Sequence, residues 1–174
     1  MNNYFKNIEY YIFNNYVYNY PIELKDKVKY VIQNGKRLRP ILCIIFSGIN
    51  KNVNSELNEY ITNHENNKNY NIIYNIATCI EIIHSLSLVL DDLPEMDNDS
   101  IRRNNPSFHS KYGIDYTNFF IYYMFNKIGI SLDNCITINT TIENKLYLKY
   151  LINISNDIKY LFQKNLNLLI DGQY

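Results

Sequence analysis

The sequence predicts an all-α fold, and three observations support this prediction. Apolar and aromatic residues recur at a spacing of three to four along most of the 174 residues, as on the buried face of a helix. No stretch alternates apolar and polar residues between turn signals, as a β-strand would. Gly and Pro are scarce, and Pro21, Gly35 and Pro94 stand at the ends of periodic segments.

The predicted helices follow one another with short connectors. They cover residues 4–20, 22–34, Ile41–Ile49 and Ile72–Asp92, and two or three more fill 114–170. Pro40 stands in the first turn of the third helix, where its missing N–H is not needed. Residues 50–71 are polar and Asn-rich and predict a loop or insertion. With no repeat and no linker, we expect residues 1–174 to belong to a single domain.

Composition and charge exclude several classes of protein. Hydrophobic residues make up 47% of the chain, and Lys+Arg balance Asp+Glu at 17 each, so neither disorder nor nucleic-acid binding is expected. Cys43, Cys79 and Cys135 are far apart without a CxxC spacing, which favours a reducing compartment over a disulfide framework or a zinc site. The longest apolar run, Ile41–Phe46, is too short to span a membrane. The N-terminus lacks the Arg- and Ser-rich character of a transit peptide, so we expect a cytoplasmic or organelle-encoded protein.

The segment EIIHSLSLVLDDLPEMDNDSIRR, residues 81–103, combines acids with a pair of arginines at the end of an apolar helix. An all-round apolar helix is usually buried, and carboxylates at its end are costly unless a cation pairs with them. Charge alone leaves two interpretations open. The acids bind a metal ion, or Arg102 and Arg103 neutralise them.

Spacing favours a metal site. His84 and Asp91 are two helical turns apart, so they project from one face about 10 Å from each other. Asp91 and Asp97 would lie on different faces of an unbroken helix, but Pro94 interrupts it, so the LPEM segment can return Asp97 towards Asp91. Carboxylates with few other protein ligands suit Mg²⁺ that also coordinates substrate phosphate. Arginine forks suit the same phosphate oxygens.

A second cluster, NGKRLRP at residues 34–40, places Lys36, Arg37 and Arg39 before a helix. Cations beside the free N–H groups of a helix N-terminus can bind an anion, although basic loops are usually only solvated surface. Two anion sites beside one metal-type acid cluster match a protein with two diphosphate substrates.

From about residue 20 onwards the chain resembles the polyprenyl synthetases, the trans-isoprenyl diphosphate synthases. The resemblance is carried by NGKRLRP, EIIHSLSLVLDD, DDLPEMDNDSIRRNNPSFHSKYG and the terminal DGQ, in that order. It implies an antiparallel helical bundle of the isoprenoid synthase type. DDLPEMD resembles the first aspartate-rich motif of the family. Three acids are thereby implied to be catalytic ligands of Mg²⁺: Asp91, Asp92 and Asp97. Arg102 is implied to contact the allylic diphosphate, and four residues to bind isopentenyl diphosphate: Lys36, Arg39, His84 and Arg103.

The activity implied is that of a prenyltransferase. The allylic diphosphate ionises, the double bond of isopentenyl diphosphate attacks the cation, and loss of a proton gives a prenyl diphosphate longer by five carbons. Leu86 and Ser87, five and four residues before Asp91, are not aromatic, so we expect geranylgeranyl rather than farnesyl diphosphate as product. A homodimer is expected for the complete enzyme.

The chain also departs from the family pattern. Asn104 replaces the usual glycine after the arginine pair, and we expect Asn to tolerate the turn there. Phe120–Tyr122 replaces an Ala-Gly-Asp step, which should change helix packing or the pocket. Family members are longer and carry a second aspartate-rich motif, so we expect this chain to correspond to a truncated N-terminal half.

Three hypotheses follow. The first, a catalytic synthase, implies that residues 1–174 alone are inactive. The second is a non-catalytic partner subunit of a complete synthase, which these residues do not separate from the first. The third, a terpene cyclase-like enzyme, fits less well, because a cyclase has no use for NGKRLRP.

Overall fold

Helices dominate the computed structural model, which describes residues 2–46, 68–137, 160 and 164. The described residues form six α-helices and one short β-hairpin, which confirms the all-α prediction. The chain divides into two units, Met1–Ile121 and Tyr122–Tyr174, and every predicted site residue belongs to the first. In chain order the helices are α1 (Asn2–Tyr11), α2 (Ile22–Ile32), α3 (Leu38–Phe46), α4 (Lys68–Asp91), α5 (Phe108–Tyr112) and α6 (Ile114–Thr137).

The helix boundaries follow the predicted breaks, with some differences. A π-helical turn, Ile12–Tyr16, and a 3₁₀ turn, Val17–Asn19, extend α1 almost to Pro21, as expected. The helix α4 begins at Lys68, four residues before the predicted start at Ile72. Most of the predicted Asn-rich loop and the helices predicted beyond residue 137 lie outside the described residues.

The helix α3 begins at Leu38, three residues earlier than predicted. The reason is that the carbonyl of Arg37 accepts a hydrogen bond of 3.1 Å from the Ile41 N–H, which makes Arg37 the N-cap. Pro40 then lies in the first turn, where no intrahelical bond is lost. The conformation of the loop at Arg37 therefore determines where α3 begins.

The helix α4 lies at the centre of the first unit and contacts α1, α2 and α3. None of its described side chains from Ile73 to Asp91 is fully exposed. By length and composition this stretch could also cross a membrane, but the core helix of a soluble protein passes the same test, and half of the stretch is buried. Its apolar surface is thus largely used for packing.

The connector after α4 contains a β-hairpin that the sequence did not predict. Ile101–Arg102 pairs antiparallel with Asn105–Pro106. The two residues between the strands, Arg103 and Asn104, have φ angles of 51° and 64°. Two left-handed residues in succession are typical of a type I′ turn, whose twist matches that of a hairpin. The expectation that Asn104 tolerates the turn in place of glycine is confirmed.

The hairpin is held against α2 and the start of α5. The Tyr30 hydroxyl donates a hydrogen bond of 2.6 Å to the carbonyl of Pro106, and Ser107 N–H donates to the carbonyl of Ser100 at 2.8 Å. Phe108 contacts Tyr30 and stacks on Phe120 at a ring-centroid distance of 4.5 Å. The bulky residue that departs from the family pattern at position 120 is therefore part of the core, whereas Tyr122 is exposed.

The turn conformation predicts how position 104 responds to substitution. We expect Asn104→Gly to leave the free energy of unfolding within about 0.5 kcal/mol of the original, because both residues accept a left-handed backbone. Asn104→Val should lower it by about 1–2 kcal/mol, because a β-branched side chain is strained at this φ. Urea unfolding of the two variants measures the difference, and a valine variant as stable as the glycine variant would contradict it.

Candidate functional site

Asp91 and Asp97 are brought together at the C-terminal end of α4. The helix ends at Asp91, Pro94 follows, and the Asp97 N–H donates a hydrogen bond of 2.9 Å to the Asp91 carbonyl. The Asn98 N–H closes the same turn on the Leu93 carbonyl at 3.0 Å. The predicted return of Asp97 towards Asp91 is confirmed. Asp91 is half-buried and Asp97 exposed, so the pair lies at the surface end of the buried helix.

This pair fits a metal ion only if other ligands complete its coordination. Among the described residues, no group of three or more His, Cys, Asp or Glu side chains is placed to hold a metal. Mg²⁺ needs about six oxygen ligands, and in phosphate-transfer sites it takes most of them from water and substrate. The hard carboxylates of Asp91 and Asp97 are suitable for that kind of shared site.

Asp92 is in a different environment from its two neighbours. It is buried, and its carboxylate accepts hydrogen bonds from Arg102 Nε at 2.7 and 2.9 Å and another from Arg102 Nη2. Burial raises the pKa of the Asp92 carboxyl, and the Arg102 guanidinium opposes that shift. Neutralisation of an acid by an arginine, the alternative interpretation above, is what this pair shows. The roles of Asp92 at a metal and of Arg102 at the allylic diphosphate stay predictions.

His84 lies within the electrostatic reach of three of the predicted cations. Burial lowers the pKa of the His84 imidazole, the guanidinium of Arg39 lowers it further, and Arg103 and Arg102 add to the effect. Glu81 acts in the opposite direction. Three guanidiniums, one from the start of α3 and two from the hairpin, therefore act on one half-buried imidazole. This is the positive environment expected at an anion site.

The loop NGKRLRP divides its three cations between two sides. Lys36 and Arg39 are exposed, as a ligand-binding role requires. Arg37 is buried and forms ion pairs with Glu9 of α1 and Glu81 of α4, the latter at 2.9 Å. Arg37 is therefore directed away from a ligand, and it is the cation of this loop to which the resemblance assigns no role. Its guanidinium is already occupied by two carboxylates.

Glu9, Glu81 and Gln33 were not singled out by the sequence. Glu81 had a signal that could have indicated its role, because it is an acid in an otherwise apolar, buried stretch of α4. Gln33 acts through its main chain, since its carbonyl accepts a hydrogen bond of 2.9 Å from Arg103 Nη1. That bond joins the arginine hairpin to the start of the NGKRLRP loop.

A small cleft lies between α2, α4 and the hairpin. Its volume is about 40 Å³, enough for roughly three water molecules. Gln33, Asp92, Arg102 and Arg103 line it, together with Ser85. The Ser85 hydroxyl is buried and forms no hydrogen bond within the described part of the chain, so the cleft has an unsatisfied polar group beside its two arginines.

The chain was compared with known proteins. The model of the polyprenyl synthetase family matches residues 22–173. Geranylgeranyl pyrophosphate synthase 7 of Arabidopsis thaliana, a chloroplastic protein, is 34% identical over 96 residues, which are 55% of this chain and 23% of that protein. Geranylgeranyl diphosphate synthase of Cyanophora paradoxa is 36% identical over 96 residues, 55% of this chain and 27% of that protein.

Two solved structures share the fold. The geranyltransferase of Legionella pneumophila superposes with a TM-score of 0.64 at 22% identity, over 89% of this chain and 47% of that one. The geranyltransferase of Helicobacter pylori gives 0.53 at 25% identity, over 87% and 49%. The fold is thus that of these synthases. The chain spans about half the length of the solved structures, and the matched stretch about a quarter of the curated relatives.

The environment of His84 predicts its titration. We expect its pKa to lie below the ordinary 6.5, because burial and nearby arginines disfavour the imidazolium. Its contribution to stability is then complete above pH 6.5 and declines as the pH falls from there through the lowered pKa, since the unfolded chain takes up the proton first.

Addition of pyrophosphate should raise the His84 pKa, because a bound polyanion offsets the arginines. An NMR titration of the imidazole resonances, assigned with His84→Asn, measures both values. Arg39→Ala should raise the pKa without ligand. A His84 pKa at or above 6.5 in the ligand-free chain would contradict this account of the site.

Proposed function

Because the chain belongs to the polyprenyl synthetase family, we propose that it forms the diphosphate-binding half of a prenyltransferase. This enzyme joins an allylic diphosphate to isopentenyl diphosphate and releases a longer prenyl diphosphate. The observation that supports the proposal is that acids and arginines come near the face of α4 that carries His84 and Asp91. Asp91 and Asp97 meet at its end, and the arginines act on His84 two turns earlier.

The acidic end of this face is assigned to the allylic diphosphate. Asp91 and Asp97 would hold Mg²⁺, which when bound neutralises the charge that develops on the leaving diphosphate. Asp97 is exposed and forms no ion pair with another described residue, so its carboxylate can accept a metal without first losing a protein partner.

The basic part of this face is assigned to isopentenyl diphosphate. Lys36 and Arg39 are exposed on one loop, and Arg103 is exposed on the hairpin that is bonded to that loop through Gln33. Burial and the arginines lower the pKa of His84, and its imidazole has an N–H that it can donate to a phosphate oxygen in either protonation state. These groups would orient the diphosphate so that the double bond of the substrate meets the allylic carbon.

The reaction needs a cationic intermediate that is protected from water. The allylic carbon–oxygen bond breaks with release of diphosphate, the new carbon–carbon bond forms, and the released diphosphate accepts the proton that is lost. The apolar residues of α4 around His84 and Asp91 would exclude water from the cation. Ser87 lies between them on this face, and its hydroxyl donates a hydrogen bond of 2.9 Å to the His84 carbonyl, so it presents little bulk to the substrate.

A second candidate is a non-catalytic partner subunit. A relative from Arabidopsis thaliana is named as the large subunit of a heterodimeric geranylgeranyl pyrophosphate synthase, so chains of this family do assemble with different partners. Both candidates need the helical surface, but only the catalytic one needs Asp97, Lys36 and Arg39. We favour the catalytic role because these three residues are exposed and contribute little to the core. For the complete catalytic enzyme we propose a homodimer.

The two halves of the site should fail independently. Asp97→Ala should weaken the Mg²⁺-dependent binding of dimethylallyl diphosphate at least tenfold, a loss of about 1.4 kcal/mol, and leave isopentenyl diphosphate binding unchanged. Arg39→Ala should weaken the binding of isopentenyl diphosphate at least tenfold and leave the Mg²⁺-dependent binding of dimethylallyl diphosphate unchanged. Isothermal titration of the 174-residue chain measures both affinities.

Matched controls are available for each variant. Glu95→Ala removes the same charge from the same exposed loop, and Lys29→Ala removes an exposed cation from α2. Both should bind within about twofold of the original chain. If Glu95→Ala were as damaging as Asp97→Ala, the effect would be general electrostatics and the metal assignment would be wrong.

For the product, we propose geranylgeranyl diphosphate. Ser87 is small and shares the face of Asp91, so a tail can pass it, whereas Leu86 is fully buried and a larger residue there would disturb the core. In the synthase that contains this chain, whether one longer polypeptide or an assembly of subunits, Ser87→Phe should shorten the main product. Chromatography of the extracted prenyl alcohols tests this. Farnesyl diphosphate as sole product of the unsubstituted enzyme would refute the proposal.

A further inference from the structure

Arg37 stands between Lys36 and Arg39 in the sequence, but its side chain is directed into the core. Its side chain is buried, its Nε pairs with Glu9 of α1, and its Nη1 pairs with Glu81 of α4 at 2.9 Å. A buried guanidinium with two carboxylates is costly to desolvate and strongly damaging to break, so it is retained where its geometry matters. The three charges join the loop to two separate helices.

The space around this guanidinium is closed by Gly35. A Cβ atom added at Gly35 would collide with Arg37 Nη1 and would lie 2.7 Å from Glu81 Oε1. The Gly35 backbone therefore rests directly on the ion pair. A larger residue fits there only if the Arg37 guanidinium and the Glu81 carboxylate shift.

The same loop is constrained at both ends. Asn34 and Arg37 have left-handed φ angles of 61° and 53°; Asn accepts this conformation, whereas it costs Arg37 about 1–2 kcal/mol. Arg103 fixes the start of the loop at the Gln33 carbonyl, and Arg37 caps α3 at its end. In this backbone conformation the Arg37 side chain is directed into the core.

One member of this network, Glu9, lies outside the part of the chain that matches the family model, since the match begins at residue 22. Glu9 is on α1, and its side chain is 28% exposed, against 1% for Arg37. Nothing in the proposed function assigns a role to α1. The ion pair connects that helix to the loop of the anion site.

We propose that Arg37 is a positioning residue and that Glu9 and Glu81 hold it so that Lys36 and Arg39 are presented together to a diphosphate. The inference rests on the proposed function, because it takes these two cations as the ligands of isopentenyl diphosphate. It adds α1 to the machinery of that site. Glu9 acts through Arg37 and does not touch the ligand.

The direction in which Glu9→Ala changes the affinity for pyrophosphate separates a positioning role of Glu9 from a long-range electrostatic effect. Glu9→Ala removes a negative charge near an anion site, so a long-range effect alone would tighten pyrophosphate binding. If Glu9 positions the loop, the same variant binds pyrophosphate more weakly. Asp26→Ala, which removes an exposed acid from α2, is the matched control for charge.

A second pair of variants tests the geometry without changing any charge. Gly35→Ala displaces the Arg37 guanidinium, whereas Gly129→Ala adds a Cβ where no atom lies within 4 Å. We expect about tenfold weaker binding of pyrophosphate and of isopentenyl diphosphate for Glu9→Ala and Gly35→Ala. The two controls should bind within about twofold of the unsubstituted chain. Isothermal titration measures the affinities, and circular dichroism verifies that each variant is folded.

Trypsin cleavage after Lys36 supplies a readout that needs no ligand. Cleavage there should be faster in Glu9→Ala and Gly35→Ala than in the controls, because the loop is released. Unchanged cleavage, or pyrophosphate binding by Glu9→Ala as tight as before, would overturn the inference. If the unsubstituted chain resists trypsin at Lys36 but binds neither diphosphate, the Glu9–Arg37–Glu81 network holds the loop as inferred. The proposed function is then wrong, and so is the role of this network at a diphosphate.

Discussion

The central constraint in this structure is that two carboxylates, one within α4 and one directly after its last residue, are buried, and each must be neutralised. Glu81 is paired with Arg37, and Asp92 with Arg102. The two acids are about three helical turns apart and therefore on the same side of the helix. Their partners come from two different connectors, the NGKRLRP loop and the arginine hairpin. Burial of the acids thereby determines where both connectors lie on α4.

This constraint divides α4 into two rows of polar residues. Glu81, Ser85 and Asp92 face inward, and two of the three hold an arginine. His84 and Asp91 each precede a member of this row, Ser85 and Asp92, by one residue, so they project about 100° away and are only half-buried. The inward row fixes the loops, and the neighbouring row is left for ligands. Replacement of a whole buried pair by apolar residues is often neutral for stability, whereas loss of one partner is strongly destabilising, so each pair both supports the fold and fixes the position of its connector.

Much of this arrangement could be predicted from the sequence, and the failures have a physical cause. The apolar run that ends in paired acids predicted α4, and Pro94 predicted the return of Asp97. The inward turn of Arg37 was not predictable from the loop itself, because Lys36, Arg37 and Arg39 are equivalent as charges in a short basic segment. What separates them is a distant partner, Glu9, and a left-handed backbone at Arg37. The hairpin was missed because its strands have two residues each and no apolar alternation.

The ion pair between Arg37 and Glu81 also restricts the order in which mutations can accumulate. Loss of Arg37 leaves Glu81 in the core without this ion pair, and loss of Glu81 leaves the buried Arg37 with only one of its two carboxylates, so one-step routes away from the pair are destabilising. Lys36, Arg39 and Asp97 have no such protection, because each is exposed and can change without harm to the fold. A duplicated copy released from selection for catalysis would lose these exposed residues first and keep its buried pairs. In descendants of this gene, the surface residues would therefore record whether the chemistry is still in use, while the buried pairs would record only that the protein folds.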